Sequence, residues 1–280
     1  MNDVTSISET LYPTLFADDT TFSVSNNDYS SLVSNLNHEL QIFNEWTVAN
    51  RLTINVTKTE LLIISNCKPD NSDHDIHLNN EFLKYSDTCS FLGVTLDNKL
   101  NFSNHIKSIS SKLAKNTGIY YKIRENFTVE ASLNFYYGFI FPFISYNIIV
   151  WGATYPTHLN PIIIQQKRFI RLMAGVERSA HTTPIFFKFK ILKLLDVYRY
   201  FTLIYMFHAL KKGIYTVRHD RATRNSDMAS SSFHRLTLSQ HCISFAGPKI
   251  WNEIPCYIRN IESLTLFKRK LKQYLVDQYS

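Results

Sequence analysis

The spacing of apolar residues changes along the chain, and the change falls near residue 100. Before it, short apolar runs alternate with turn-forming residues around one segment of helical period. Asp28 is a suitable cap for that predicted helix, because a short acidic side chain accepts hydrogen bonds from free first-turn amides. The helix would bury one apolar face, formed by Tyr29, Leu32, Val33, Leu36, Leu40, Phe43 and Trp46.

The strands predicted around this helix are short. Residues 12–24 predict a β-hairpin, because Phe22 and Val24 alternate with polar residues while the central Asp18 and Asp19 suit a turn better than a strand. Further strands are predicted at 52–55, 61–65, 82–83 and 91–96, and a polar surface loop at 66–75. This order of elements predicts an α+β part with helices on one face of an antiparallel sheet.

Residues beyond 100 are predicted to form mainly α-helices with basic outer faces. Residues 106–113 and 185–212 combine an apolar stripe with lysines and arginines around it, and Pro161 is predicted to open another such helix. The exposed side of that helix would carry Lys167, Arg168 and Arg171.

Residues 135–151 carry no charge, so a membrane span has to be weighed against buried helices. A span needs roughly 17–25 apolar residues, and this segment reaches only the lower end of that range. Gly138, Pro142 and Asn147 interrupt it, and its tyrosine hydroxyls need hydrogen-bond partners. The pattern favours a pair of buried core helices, and no membrane association is predicted.

The composition indicates a folded intracellular protein. The 280 residues are 45% hydrophobic and 19% charged with only 7 Gly and 8 Pro, which excludes a disordered or fibrous chain. Four cysteines are too few for a disulfide scaffold and suit a reducing compartment. The first ten residues lack the order of a signal peptide, so secretion is not expected.

Charge is distributed unevenly along the chain. Residues 1–100 carry 14 acidic and 5 basic side chains, a net −9, whereas residues 101–280 carry 25 basic and 9 acidic, a net +16. One interpretation is a chance imbalance of solvated surface charge. The other is an acidic part that holds cations and a basic part that binds a polyanion such as a nucleic acid.

The adjacent carboxylates of Asp18 and Asp19 are candidates for chemistry. Two carboxylates about 4 Å apart repel by roughly 4 kcal/mol at an effective dielectric constant of about 20. Divalent cations remove this repulsion, and Mg²⁺ prefers one or two carboxylates together with substrate phosphates. An Asp-Asp pair is also common in solvated turns, so the dipeptide alone does not separate the two interpretations.

The order of the motifs favours the cation site. Phe16-Ala17-Asp18-Asp19 is followed by the amphipathic helix, then by Leu52, Asn55, Lys58 and Thr59 in the spacing Leu-x-x-Asn-x-x-Lys-Thr, and then by Phe91-Leu92-Gly93-Val94. This series resembles the palm of a reverse transcriptase, and in particular the enzymes of non-LTR (LINE-type, Jockey- or CR1-like) retrotransposons.

The resemblance continues downstream and predicts three parts of the chain. Residues 139–152 resemble the thumb-side segment of these proteins, and residues 245–268 resemble their C-terminal tail. The implied parts are a partial palm over 1–100, a helical thumb-like region over 101–215 and a basic tail segment over 216–280. The resemblance implies an intracellular protein that works as a ribonucleoprotein in the nucleus or cytoplasm.

The resemblance also implies catalytic roles. Asp18 and Asp19 would bind Mg²⁺, with Asp18 as the direct ligand, in the two-metal nucleotidyl transfer of an RNA-directed DNA polymerase. Lys58 would protonate or neutralise the departing pyrophosphate. The alternative for Lys58 is an ordinary surface lysine at the start of a strand.

Nucleic-acid contacts are implied at two further places. Phe91, Leu92 and Gly93 would form the primer grip, where glycine allows backbone to approach the primer, although plain core packing is an alternative or additional role. Basic residues after residue 100 would contact phosphates of the RNA template and DNA primer, and the candidates are Lys167, Arg168 and Arg171. No zinc is predicted, because His234, His241, Cys242 and Cys256 do not have the spacing of a zinc site.

One expected part of the active site has no match. The palm of this family carries another metal-binding aspartate, and nucleotide-binding fingers, before the hairpin, but only 17 residues precede Asp18, and Asp3 and Glu9 do not match that motif. The sequence therefore predicts a truncated polymerase that is inactive alone and binds Mg²⁺ weakly or not at all. The alternative is a non-catalytic nucleic-acid-binding module derived from the thumb and tail.

Overall fold

The computed structural model describes residues 4, 7–8, 10–65, 76–79, 81–215, 228–230 and 237–280. The chain divides into two compact units, residues 1–100 and residues 101–280. The first is α+β and the second is helical, so the predicted fold class is confirmed. The predicted loop at 66–75, the arginines at the start of the predicted basic tail segment (Arg218, Arg221 and Arg224), and Asp3, Glu9 and His234 lie outside the described residues.

The first unit contains one long helix and several short strands. Its elements are β1 (Tyr12–Phe16), β2 (Asp19–Ser23), α1 (Tyr29–Ala49), a 3₁₀ turn (Val56–Lys58), β3 (Glu60–Leu61), β4 (His77–Leu78), β5 (Glu81–Phe82), β6 (Lys84–Tyr85), β7 (Thr88–Phe91) and β8 (Val94–Asp97). The pairs β1–β2, β4–β5 and β7–β8 are antiparallel, and β3–β6 is parallel. Among the described residues these pairs remain separate two-stranded sheets instead of the single sheet that the sequence predicts.

Helix α1 forms where its cap and its apolar stripe predict it. Asp28 Oδ2 accepts a 2.8 Å hydrogen bond from the Ser31 amide, which satisfies one free N–H group of the first turn. One face of the helix is buried and forms the core of the first unit. The buried hydrophobic residues of that core are Val4, Leu11, Leu36, Leu40, Phe43, Ile76 and Leu78.

Three strand predictions in this unit are wrong. Residues 52–55 form no strand. Where a strand over 61–65 was expected, only Glu60–Leu61 is paired. An apolar run becomes a strand only where a partner offers backbone hydrogen bonds. The expected strand at 91–96 is instead a hairpin, since Phe91 pairs with Val94 across a two-residue turn. Leu92 and Gly93 both have positive φ, 46° and 77°, which gives a type I′ turn.

The second unit is a helical assembly. Its elements are α2 (Ser103–Ile123), a 3₁₀ turn (Arg124–Asn126), α3 (Val129–Phe135), a π-helical turn (Tyr136–Ile140), α4 (Phe141–Ser145), α5 (Ile148–Trp151), α6 (Pro156–Ala174), α7 (Thr183–Phe189), α8 (Leu194–Lys211), α9 (Thr237–His241), α10 (Ile243–Glu253), α11 (Cys256–Arg259) and α12 (Leu264–Asp277). Helices α2 and α6 pack along each other, and α10 and α12 pack on α8.

Aromatic rings fill the core of the second unit. Phe169 of α6 is fully buried, with its ring centroid 4.7 Å from that of Tyr120 and 5.7 Å from that of Tyr136. The C-terminal helices join the same unit, because Phe267 of α12 stacks on Phe207 of α8 with centroids 4.8 Å apart. The described part of residues 237–280 therefore packs on the preceding helices.

Two helix predictions in this unit need correction. Pro161 lies inside α6 and does not begin it. The helix begins at Pro156, and proline is tolerated there because N–H groups of the first turn have no partner within the helix. Residues 135–151 form consecutive short helical segments, not a regular helix pair, since Asn147 at φ 47° interrupts them. Burial recurs at every fourth residue, at Tyr136, Ile140, Ile144 and Ile148. Among the described residues, no helix is long and apolar enough to cross a membrane.

Candidate catalytic hairpin and nucleic-acid interface

The acidic pair lies at the turn of hairpin β1–β2, as the sequence predicts. Phe16 pairs with Asp19, so Ala17 and Asp18 form the two-residue turn and Asp19 is the first residue of β2. Both carboxylates are exposed. Apolar side chains of β1 are exposed as well, since Phe16 next to the turn is 62% accessible and Tyr12 at the other end of the strand is 66% accessible.

The hairpin is attached to the core through its second strand. Phe22 of β2 packs on Phe43 of α1, with ring centroids 4.7 Å apart and the planes 70° from parallel. A polar contact lies nearby, where Thr10 Oγ1 donates a 2.5 Å hydrogen bond to the Glu39 carboxylate. Hydrogen bonds from Ser8 and from Thr10 lower the pKa of Glu39. The turn that carries the acidic pair thus projects from a strand that is fixed on the core.

Lys58 lies at the end of a 3₁₀ turn that Asn55 organises. The Asn55 side-chain oxygen accepts hydrogen bonds from the Lys58 amide, at 3.2 Å, and from the Thr57 hydroxyl, at 2.7 Å. The Thr59 hydroxyl donates to the Asn55 carbonyl at 3.0 Å. The Asn-x-x-Lys-Thr motif is therefore a local turn that exposes Lys58. Asn55 is more than a motif position, because an asparagine before a turn is a recognisable cap in the sequence.

The structure does not join Lys58 to the acidic pair. Among the described residues, neither Asp18 nor Asp19 forms an ion pair with Lys58. The proposed primer grip lies elsewhere in the same unit, at the β7–β8 turn, where Gly93 is exposed and Phe91 and Leu92 are partly buried. These residues belong to separate turns of the first unit.

The basic candidates on α6 differ from one another. Lys167 and Arg168 are exposed, as predicted for residues that contact phosphate. Arg171 is half-buried, and its Nε donates a 2.8 Å hydrogen bond to the Ala180 carbonyl. This bond ties Arg171 to the loop after α6, and a contact between Arg171 and phosphate stays a prediction.

Helix α12 carries basic residues that the sequence analysis did not single out. Lys268, Arg269, Lys270 and Lys272 lie within a little more than one turn of the helix. Arg269 and Lys270 are exposed, and Lys268 and Lys272 are half-buried. The signal was present in the sequence as the run Lys-Arg-Lys-Leu-Lys, which is the densest basic run after residue 100.

The acidic pair fits part of a magnesium site. Two exposed carboxylate side chains next to each other in the chain are hard oxygen ligands of the kind that Mg²⁺ prefers. Among the described residues, however, no group of three or more His, Cys, Asp or Glu side chains comes together. Asp18 and Asp19 would therefore supply two of the ligands, and further ligands would have to come from substrate phosphates or from other protein groups.

Comparison with curated proteins finds RNA-directed DNA polymerases of mobile elements. The RNA-directed DNA polymerase from mobile element jockey of Drosophila melanogaster is 28% identical over 185 residues, 65% of this chain and 20% of the relative. The corresponding Drosophila funebris protein is 27% identical over 168 residues, 59% of this chain and 18% of the relative. The probable RNA-directed DNA polymerase from transposon X-element of Drosophila melanogaster is 21% identical over 196 residues, 69% of this chain and 20% of the relative.

The similarity is confined to part of these proteins. The chain spans about a fifth of the length of the curated relatives it matches. No protein-family model and no solved structure matches it. The relatives confirm the resemblance that the motif order indicated: over 59–69% of its length, this chain is homologous to the RNA-directed DNA polymerases of jockey and X-element mobile elements.

Proposed function

We propose that this chain is part of an RNA-directed DNA polymerase of a mobile element. The observation that carries the proposal is the exposed Asp18-Asp19 pair at the turn of a hairpin fixed on α1, in a chain homologous to such polymerases. In this proposal the first unit contributes carboxylates to the polymerase site. The second unit, with its net charge of +16, binds the RNA template and DNA primer.

The chemistry of the proposed site depends on charge placed at the transferring phosphate. Divalent cations, when bound by the carboxylates, stabilise the charge that develops in nucleotidyl transfer. The chain itself presents Asp18 and Asp19 to solvent, where they would hold Mg²⁺ together with substrate phosphates. In this proposal Lys58, which is exposed on the turn that Asn55 caps, would supply an ammonium group that neutralises the departing pyrophosphate.

The 280-residue polypeptide alone is proposed to be inactive. The motif order implies a further aspartate and a nucleotide-binding segment, and no residue of this sequence matches them. Because the groups of such a site act as a unit, the loss of one ligand removes most of the rate.

A primer-extension assay tests this proposal. The purified polypeptide is assayed with Mg²⁺ on a primed RNA template, both alone and fused behind the part of the Drosophila melanogaster jockey polymerase that precedes the matched region. We expect no extension by the polypeptide alone and extension by the fusion. Asp18→Ala should lower the rate of the fusion by about 1,000-fold. Asp87→Ala, which removes another exposed acid of the same unit, should leave it unchanged.

Two results would contradict the proposal. Extension by the polypeptide alone that disappears in Asp18→Ala would show a complete site. A fusion whose rate is insensitive to Asp18→Ala would show that the hairpin carboxylates are not catalytic.

A second function is favoured by the charge of the second unit. Residues 101–280 are strongly basic, and α6 exposes Lys167 and Arg168, so the chain would bind nucleic acid without any catalysis. Nucleic-acid binding by a fusion that never extends a primer would support this function over the first.

A further inference from the structure

The second unit contains an aromatic cavity that no predicted site uses. Its volume is about 310 Å³, at the small end of the range of roughly 300–1,000 Å³ for small-ligand pockets. The residues that line it come from the π-helical turn, α4, the segment before α8, α8 itself and α12. They are Tyr136, Tyr137, Phe141, Ile191, Leu192, Tyr200, Phe201, Ile204, Lys268 and Lys272.

The floor of the cavity is buried and hydrogen-bonded. Tyr136, Ile191 and Leu192 are buried, with 0%, 1% and 5% of their surfaces exposed. The side-chain amide of Gln166 donates hydrogen bonds to the Tyr136 hydroxyl, at 3.0 Å, and to the Leu192 carbonyl, at 2.9 Å. Gln166 is itself buried in α6, and its two hydrogen bonds connect Tyr136 on one side of the floor with Leu192 on the other.

The walls are aromatic rings that contact one another. The ring centroids of Tyr137 and Phe141 are 5.5 Å apart, those of Phe141 and Phe201 are 6.4 Å apart, and those of Tyr200 and Phe201 are 5.5 Å apart. Such a set of rings offers flat apolar surfaces on which another aromatic ring system can stack.

Lys268 and Lys272 place positive charge at this cavity. They are four residues apart on α12, so they lie on the same side of the helix. Lys272 Nζ donates a 3.3 Å hydrogen bond to the Tyr137 hydroxyl and lies 5.5 Å from the centroid of that ring. None of the described residues that line it is acidic, so the cavity combines aromatic surface with two cations.

We propose that this cavity binds one base of a single-stranded nucleic acid, while Lys268 and Lys272 contact the flanking phosphates. Aromatic stacking of bases together with basic contacts along the backbone is how proteins bind single strands without strong sequence preference. A base within a duplex is stacked and paired, and it would have to leave the helix to enter a concave site of this size.

The inference rests on the proposed function only in taking nucleic acid as the partner. It assigns no step of catalysis to the cavity, and the cavity residues belong to the second unit, whereas Asp18 belongs to the first. A binding experiment on the cavity therefore fails or succeeds independently of a primer-extension experiment on the hairpin.

Binding of the full chain to two labelled oligonucleotides tests the stacking part. One is an oligodeoxythymidylate of roughly 12 nucleotides, and the other is a strand of the same length and charge that carries abasic sites. Fluorescence anisotropy should show that the strand with bases binds about 5- to 150-fold more tightly, as expected for one stacked base. Tyr200→Leu and Phe201→Leu should abolish this preference. Equal binding of both strands by the unaltered chain would overturn the proposal.

A matched pair of double variants tests the contribution of charge. Lys268→Gln with Lys272→Gln removes the two cavity lysines, and Arg269→Gln with Lys270→Gln removes two exposed charges from the same helix. The first pair should reduce the slope of log affinity against log salt by about 1.4, which corresponds to two lost phosphate contacts on a single strand. The second pair should reduce the slope by clearly less. An equal reduction by both pairs would indicate diffuse attraction to α12 and would overturn the proposal.

Cross-linking of the unaltered chain removes the dependence on variants that fold poorly. An oligonucleotide with 5-iodouracil should cross-link on irradiation to peptides that contain Tyr137 or Tyr200, and cross-links only to other peptides would overturn the proposal.

Thymidine monophosphate distinguishes a strand from a free nucleotide. We expect it to compete with the oligonucleotide only at far higher concentration, and competition at equal concentration would overturn the assignment to a strand.

Discussion

Ala17 and Leu92 adopt the left-handed backbone conformation at the first position of their hairpin turns, with φ of 52° and 46°. For a residue with a Cβ atom this conformation costs roughly 1–2 kcal/mol. Both positions directly precede a residue with a proposed role, Asp18 in one hairpin and Gly93 in the other. At the residue scale, therefore, both candidate turns of the first unit contain a strained backbone position, and Arg51, Asn79 and Leu100 are strained positions elsewhere in its described residues.

Replacing Ala17 by glycine should relieve this strain. Glycine adopts a positive φ without a steric penalty, and its greater freedom in the unfolded chain offsets only about 0.4–1 kcal/mol of the gain. We expect Ala17→Gly to raise the free energy of unfolding of the first unit by roughly 0.5 kcal/mol, measured by urea denaturation. Ala49→Gly, at the end of α1, is the control and should lower that free energy. A loss of stability in both variants would show that the positive φ of Ala17 does not strain the turn.

The Asn55 side chain should act as a hydrogen-bond acceptor for the Lys58 turn. Asn55→Ala removes the acceptor for the Lys58 amide and the Thr57 hydroxyl, and should lower the free energy of unfolding by about 1 kcal/mol. Asn55→Asp keeps an acceptor oxygen in the same place and should retain most of the stability. Denaturation of both variants at neutral pH makes the comparison, and equal losses would show that the side-chain amide group, not its oxygen, is required.

At the scale of elements, sequence pattern predicts long helices well and short strands poorly. Helix α1 follows from its cap at Asp28 and from a stripe repeated over 21 residues, where chance matches are rare. Strands of two to four residues carry too few alternating positions to show where they end, so the turn at Leu92 was hidden inside an apparent strand. The hairpin with Asp18 was predictable because two acids break the apolar alternation there.

The aromatic cavity could not be predicted, because it combines segments that are distant in the sequence. Tyr136, Tyr200 and Lys268 each fit an ordinary helical pattern in their own segments. Only tertiary packing brings them together, and no periodicity within one segment shows which other segment it will meet. The basic run of α12 was visible in the sequence, but its closeness to tyrosine rings was not.

Hydrogen bonds of the Gln166 side chain connect helix α6 to neighbouring segments. Its amide group donates to the Tyr136 hydroxyl and the Leu192 carbonyl and accepts from the Leu194 amide, at 3.0 Å. Gln166→Leu leaves these three buried groups without partners, at a cost of about 1–3 kcal/mol for each. Thermal or chemical unfolding should therefore show a loss of roughly 3 kcal/mol or more.

The neighbouring residue is a matched control for this prediction. Gln165 has a buried side-chain oxygen without a hydrogen-bond partner among the described residues. Gln165→Leu removes that unsatisfied group, so it should leave the stability unchanged or raise it slightly. A similar loss in both variants would attribute the effect to a change of polarity on α6 and not to the bonds of Gln166.

At the scale of the whole molecule, buried tyrosines should make the second unit sensitive to alkali. Burial raises the pKa of Tyr136 above its ordinary value. Burial and the hydrogen bond to Asp196 likewise raise the pKa of Tyr279. In the unfolded chain these phenols ionise near pH 10, whereas in the folded protein they keep their protons. The unfolded state then binds fewer protons than the native state, so stability is complete below about pH 10 and falls as the pH rises further.

Tyr136→Phe should make this fall less steep. Each tyrosine that stays protonated contributes up to about 1.4 kcal/mol per pH unit to the slope, and phenylalanine contributes none. The measurement is the free energy of unfolding between pH 9 and about pH 11.5. Tyr257→Phe, at a side chain that is 64% exposed, is the control. An unchanged slope in Tyr136→Phe would show that this phenol is not shielded in the fold.

The bond from the Leu194 amide to the Gln166 side chain has a consequence for deuterium labelling. First-turn amides of a helix usually face water and lose their protons quickly, because no carbonyl of the helix accepts from them. Leu194 begins α8, yet its amide is buried against a side-chain oxygen from α6. The Leu194 amide proton should therefore exchange slowly, as protons of the protein interior do. Its exchange rate reports whether α6 and α8 remain packed together.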